Sequence, residues 1–336
     1  MTKKNTEDWK RNIRNKLIHS RPHRIGFVAI PLILIFTLIK ENSTEKQFTF
    51  IMILFLGAMV AFLMYNFRVT DKAHIIIKDQ HKMLEEKQRE ILSSISYALR
   101  IQNAILPSQK IIKQNLEQYF ILYKPKDIVA GDFYWMEKVD DKILFAACDC
   151  TGHGVPGAMV SVVCNNALNR AVREFELTQP AAILDKTAEI IIENFSTSEE
   201  EIQDGMDISI CALNLHSKKL LWAGANNPLW LIRNGELIET KANKQSIGKS
   251  DHIQPFTNHE IQLESGDSIY IFSDGFADQF GGEAEKKLTR KRFKEQLLSV
   301  QHLPMKEQGI ALENFISTYR KETEQTDDIL VMGVKI

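Results

Sequence analysis

Five aspartates in the C-terminal two-thirds of this chain limit what it can fold into: Asp132, Asp149, Asp274, Asp327 and Asp328. They stand in Gly131-Asp132-Phe133-Tyr134-Trp135, Asp149-Cys150-Thr151-Gly152-His153-Gly154, Ser273-Asp274-Gly275 and Thr326-Asp327-Asp328. Each follows, or lies beside, an apolar run that reads as a buried strand. Strands that deliver acids to one place gather like charges and strip them of water, and both effects oppose ionisation. A hard divalent cation removes that penalty, because Mg²⁺ and Mn²⁺ take oxygen ligands. The pattern predicts a metal centre, with two ions.

The chain has 336 residues and a net charge of -1, so it carries no global attraction for nucleic acid. The charge is uneven. Residues 1–24 hold eight basic side chains, from Lys3 to Arg24, against Glu7 and Asp8. Two uncharged runs follow, 25–39 and 47–67, separated by the polar stretch 40–46. The second is long enough for a bilayer-spanning helix, which needs roughly 20 residues. The first is short, and Arg24 and Lys40 complete it by reaching the interfaces. The expectation is a membrane hairpin over 25–67, with both ends cytoplasmic by the excess of basic residues. No small-residue cleavage site follows the first run, which disfavours a signal peptide.

Residues 68–106 contain no Pro or Gly and read as one long helix that stops at Pro107. Ile77, Leu84, Ile91, Ala98 and Ile105 recur every seven residues, although the companion seam position is mostly polar. The readings are a coiled coil that pairs two chains and a linker helix packed on its own domain. Beyond it, residues 107–336 alternate short apolar strands with amphipathic helices. Strands are predicted at 120–123, 133–139, 143–148, 207–214, 220–224, 229–232, 237–240, 261–263, 268–273 and 329–334. Helices are predicted at 156–174, 181–195, 292–300 and 305–319. Asn234-Gly235 is a hairpin signal, and the hairpin links favour antiparallel sheets. All four cysteines lie beyond the uncharged runs, in a compartment where disulfides are rare. Cys148-x-Cys150 is too tight for an ordinary zinc pair, so these read as buried free thiols.

Singly, each acidic motif is weak, since Asp and Gly are ordinary turn residues and Asp149 could be a helix N-cap. Together, and in this order with Ala223-Gly224-Ala225-Asn226-Asn227-Pro228, they resemble the bacterial type 2C protein phosphatases, closest to the branch typified by stage II sporulation protein E. The resemblance covers about 102–336. It implies an α+β fold, an α-β-β-α sandwich of two antiparallel sheets flanked by helices, with two Mn²⁺ or Mg²⁺ ions at one sheet edge. It further implies that Asp149 bridges the ions, that the Cys150 carbonyl is a ligand, and that Asp132, Asp274 and Asp327 complete the metal set. Asp328 falls beside a ligand and orients it; Asp207 is either an auxiliary ligand or a strand-start residue. Animal members carry a general-acid histidine two residues after the bridging aspartate, where this chain has Thr151, and their phosphate-binding arginine has no clear counterpart. His153 reads as turn chemistry.

The expected function is hydrolysis of phosphoserine and phosphothreonine in a phosphorylated protein, such as an anti-sigma antagonist-like protein, at the bacterial cytoplasmic membrane with the catalytic domain facing the cytoplasm. The alternatives are a non-catalytic signalling scaffold and a small-molecule phosphohydrolase. The basic run Lys286, Lys287, Arg290, Lys291 and Arg292 reads as a solvated helix start or as a docking patch for an acidic partner.

Overall fold

The computed structural model describes residues 45–196, 204–248 and 254–336. The first uncharged run, 25–39, and therefore the first arm of the expected hairpin, lies outside the described residues. The chain divides into two compact units, Met1–Arg89 and Glu90–Ile336.

In the first unit the second uncharged run lies within α1, Glu45–Ile105. The helix does not begin after the apolar run. It runs through 47–67 into 68–105, because nothing between them breaks a helix, and it stops before Pro107, whose ring disfavours helical backbone in the residue it follows. Phe50, Ile53, Leu56, Leu63 and Phe67 are exposed on it, and so are Ile77 and Leu84 of the heptad series. By length and composition α1 is able to cross a membrane.

Besides a separate two-stranded ribbon of β11 (Phe280–Gly281) and β12 (Lys286–Lys287), the second unit is built on two large antiparallel sheets. One has the order β1 (Tyr119–Lys124), β13 (Ile329–Lys335), β10 (Ser268–Phe272), β6 (Leu229–Arg233) and β7 (Glu236–Thr240). The other has the order β2 (Phe133–Val139), β3 (Lys142–Cys150), β4 (Gly205–Asn214), β5 (Lys219–Ala225) and β9 (His259–Gln262), with β8 (Ile247–Gly248) beside β4. The predicted hairpin joins β6 to β7: Asn234 and Gly235 have φ of 51° and 81°, the pair of positive angles that a tight two-residue turn requires. Four short elements, α2 (Gln109–Asn115), β8, β11 and β12, lack a sequence signal strong enough to predict.

Strand alternation sorts the side chains into three apolar layers. Ile143, Phe145 and Ala147 of β3 face the other sheet and, with Trp222 of their own sheet, pack against Leu231, Ile271 and Met332. Leu144, Ala146, Cys148 and Cys150 face the opposite way, onto α3 (Gly154–Arg173) and α4 (Pro180–Ser196). On the far side Trp230, Phe272 and Val331 pack against α5 (Gly275–Asp278), α6 (Thr289–Ser299) and α7 (Met305–Arg320). The result is the expected α-β-β-α sandwich. Trp135, Trp222 and Trp230 are all buried in it as packing residues. So are the four cysteines, which form no disulfide. Lys286, Lys287, Arg290, Lys291 and Arg292 are exposed along β12 and the start of α6, where Lys287 pairs with Asp278 at 2.6 Å.

Candidate metal centre

The alternation that builds the layers also aims the acids. Asp149 continues the odd-numbered series Ile143, Phe145 and Ala147, so it points to the inter-sheet side where the sandwich opens. It stands within β3, opposite Asp207 of β4. It is therefore not the N-cap of α3. His153 holds that position, without making a side-chain cap bond. Asp274 precedes α5 and makes no cap bond either, which leaves its carboxylate unspent. Its backbone N–H points to Asp149 Oδ2 at 3.5 Å.

A cavity of about 240 Å³ opens here, lined by Asp149, Asp207, Asp274 and Asp327 together with Thr151, His153 and Ser246. Lysine and arginine are missing from the described residues that line it. Asp132 sits behind it, 3 % exposed, and its Oδ2 is buried with no hydrogen-bond partner. Burial, then the nearby Asp149 carboxylate, pushes the Asp132 acid well above its ordinary range, against a hydrogen bond from Ser273. Burial followed by Asp274 and Asp207 does the same to Asp149. Asp274 is pushed up to about 6, by burial first and then by Asp278 and Asp327. Such a group of acids is costly on its own and is relieved by cations.

Asp328 has a different task. Its Oδ1 accepts the Lys126 backbone N–H at 2.7 Å, and its Oδ2 accepts those of Gly131 at 2.7 Å and Asp132 at 3.4 Å. Both oxygens are occupied in holding the loop that presents Asp132. Asp327, one residue earlier, faces the cavity while its Oδ1 accepts the Asp328 N–H at 2.8 Å. Two glycines make the approach possible. A Cβ on Gly275 would lie 1.9 Å from the Asp328 carbonyl oxygen, and one on Gly131 would lie 2.3 Å from that of Gly152. Any side chain at either position would push the acid-bearing loops apart.

Thr151, at the place of the animal histidine, is tied to the β3–β4 end. Its hydroxyl both donates to the Gly205 carbonyl and accepts the Gly205 N–H, each at 3.1 Å. His153 lines the cavity and is held from both sides: its Nδ1 is 2.8 Å from Asp127 Oδ2, and its Nε2 is 3.0 Å from Lys126 Nζ. Asp207 is fixed through Oδ1, which accepts from Asn226 Nδ2 at 2.9 Å and Ser246 Oγ at 2.6 Å. Lys126, Asp127 and Ser246 stand in no motif of the sequence, whereas Asn226 belongs to Ala223-Gly224-Ala225-Asn226-Asn227-Pro228.

Oxygen donors dominate the site, as Mg²⁺ or Mn²⁺ requires. The thiols of Cys148 and Cys150 turn into the helix-facing core, away from the acids, and offer no ligand to an ion in the cavity. Among the described residues no three acidic, histidine or cysteine side chains already close on a single ion. Mg²⁺ keeps several of its waters when bound, so spaced carboxylates suit it better than a tight cage.

The family model of stage II sporulation protein E (SpoIIE) matches residues 139–336, more than half of the chain. The chain belongs to the SpoIIE family. Its second unit is thus a SpoIIE-type PP2C phosphatase domain. Among solved structures, it is similar to the SiaA-PP2C domain of Pseudomonas aeruginosa, with 33% identity and a TM-score of 0.68 over 74% of this chain and 98% of that one. The phosphatase domain of SpoIIE with a fragment of its regulatory domain, from Bacillus subtilis, shares the fold at 19% identity and a TM-score of 0.53, over 65% of this chain and 63% of that one. A curated relative, phosphoserine phosphatase RsbU of Bacillus subtilis, is 23% identical over 206 residues, 59% of this chain. The match spans only 58% of that relative's length. Asp149, Asp207, Asp274, Asp327 and Asp328 all lie inside the family match; Asp132 lies just before it.

Proposed function

We propose that this chain is a membrane-tethered, metal-dependent phosphatase that hydrolyses phosphoserine and phosphothreonine in a protein substrate. The observation that carries the reading is the cavity itself. Four carboxylates line it, a fifth stands behind with an unpartnered buried oxygen, and the described lining offers no lysine or arginine to balance them. A non-catalytic scaffold has no use for acids that raise one another's pKa. Asp132, Asp149, Asp274 and Asp327, with the Cys150 carbonyl, would hold two Mn²⁺ or Mg²⁺ ions. Bound there, the ions would activate a water and neutralise charge on the phosphoryl oxygens.

The chain's own residues set the rest. Asp328 fixes the loop bearing Asp132, and Asn226 and Ser246 orient Asp207 beside Asp149. Lys126, held against His153, brings a cation to the rim of an otherwise anionic site. RsbU, named a phosphoserine phosphatase, supports a phosphoprotein substrate, here one in a signalling system. Phosphate release by the full-length chain from a phosphoserine protein, compared with release from a panel of nucleotides, tests the substrate class. Faster turnover of the nucleotides would favour a small-molecule phosphohydrolase.

The exposed apolar flank of α1 supports membrane attachment, because Phe50, Ile53, Leu56 and Phe67 gain cover in lipid. We expect 25–67 to form the hairpin, with the phosphatase domain in the cytoplasm. Reporter fusions after residue 42 and after Asp79 then report opposite sides of the membrane; the same side for both removes the hairpin. The exposed Ile77, Leu84 and Ile91 support pairing of two chains along α1. Cysteines placed at Leu84 or Ile91 are expected to cross-link into dimers in membranes, and purely monomeric chains would count against pairing.

A further inference from the structure

The last turns of α1 carry a buried amide that the chemistry above does not use. Gln102 is 2 % exposed, and its side chain makes three hydrogen bonds. Its Oε1 accepts the Ala130 N–H at 3.1 Å, and its Nε2 donates to the Ala130 carbonyl at 2.6 Å and to Ser161 Oγ at 3.0 Å. Both backbone groups of Ala130 are therefore satisfied by one side chain. Ala130 is two residues before Asp132 in the loop that Asp328 grips from the other side. Ser161 lies on α3, one turn beyond Gly157, and the Gly152 carbonyl packs closely against both Gly157 and Gly131.

We propose that Gln102 is a positioning residue for the metal centre: it sets the height of the 130–132 loop over the Cys150–Gly152 backbone, and so where Asp132 and the Cys150 carbonyl meet a divalent ion. This rests on the metal reading of the site given above. The geometry favours it over a purely structural role. A buried glutamine needs partners, but it needs no particular ones. Gln102 spends both ends of its amide on a single residue beside a ligand, and its remaining bond on the helix that starts at the cavity. Gln308 provides the contrast. It too is fully buried, accepting from Tyr270 Oη at 2.7 Å and donating to the Leu303 carbonyl at 3.0 Å, yet it touches nothing near the acids.

Groups that orient metal ligands typically change affinity by about 10–100-fold when removed. Gln102→Met keeps the volume and deletes the bonds. Calorimetric titration of Mn²⁺ into the metal-free full-length chain in detergent should show binding weakened by about tenfold or more. Ser161→Ala, which removes one bond of the three, should shift binding the same way by a smaller factor. Gln308→Met should lower the unfolding temperature and leave Mn²⁺ affinity unchanged. At saturating Mn²⁺, the KM of Gln102→Met for a phosphoserine protein should equal that of the parent. Parental Mn²⁺ affinity in both Gln102→Met and Ser161→Ala would overturn the proposal, as would an equal loss in Gln308→Met. If Gln102→Met does not fold, Ser161→Ala against Gln308→Met decides. A parent chain that binds no Mn²⁺ would instead defeat the metal reading on which the proposal rests.

Discussion

Asp149→Asn is expected to fold, to lose nearly all Mn²⁺-dependent phosphate release, and to resist heat better than the parent when both are metal-free. The loss should be about a hundredfold or more, on the order of 3 kcal/mol of transition-state stabilisation. A carboxamide offers a cation one neutral oxygen where the carboxylate offered a charge. The gain in stability comes from the same substitution. Burial and the Asp274 and Asp207 carboxylates hold the Asp149 acid well above its ordinary range. An acid whose folded pKa exceeds its unfolded one destabilises the fold once the pH passes the unfolded value. For Asp274, pushed up to about 6, the cost develops as the pH rises from about 4 through 6. The metal-free parent should therefore unfold at a lower temperature at about pH 7.5 than at about pH 5, and Mn²⁺ should reverse the difference. Thermal unfolding of both proteins with and without Mn²⁺ reads all of this at once. His153→Ala should cost less activity than Asp149→Asn, because His153 stands at the rim. A parent that is indifferent to Mn²⁺, or an Asp149→Asn that binds it as tightly, would break the link between the acids and the ion.

The second large effect is structural. Asp328→Ala should destabilise the phosphatase domain by about 3–5 kcal/mol, because it strips the Lys126, Gly131 and Asp132 amides of their acceptor at once. Asp328→Asn should recover little of this. Both carboxylate oxygens accept N–H groups, and an amide would turn a donor toward one of them. Denaturant unfolding of the metal-free proteins measures the cost without interference from bound ions. A loss below about 1 kcal/mol for Asp328→Ala would mean that the three amides find other acceptors, and that Asp328 does not hold the loop.

The core and the acids were legible in the sequence for the same reason: apolar runs that stop at, or beside, an aspartate. The run 143–148 marks a strand buried on both faces, and only the fold shows that Asp149 follows Phe145 onto the inter-sheet one. The hairpin at Asn234-Gly235 was legible because few residue pairs accept two positive φ angles. Asp328 was harder. The sequence shows two adjacent acids before the last strand, and only the fold reveals that one has spent both oxygens on backbone amides 196–202 residues away in the chain. Gln102 was invisible for a related reason. It shares a heptad position with Ile95, so it reads as a flaw in the seam, whereas its partners lie 28 and 59 residues further on. Lys126 and Asp127 carry no motif at all and meet His153 only because a loop folds over the start of α3. Local pattern reports which face a residue occupies. It does not report which distant backbone groups need a partner.

The most direct test of the central claim is phosphate release from a phosphoserine protein by the full-length chain, measured with Mn²⁺, after EDTA, and in Asp274→Asn. Release is expected with Mn²⁺, with none after chelation, recovery when Mn²⁺ is restored, and none from folded Asp274→Asn. Release that persists both after chelation and in Asp274→Asn would contradict that claim.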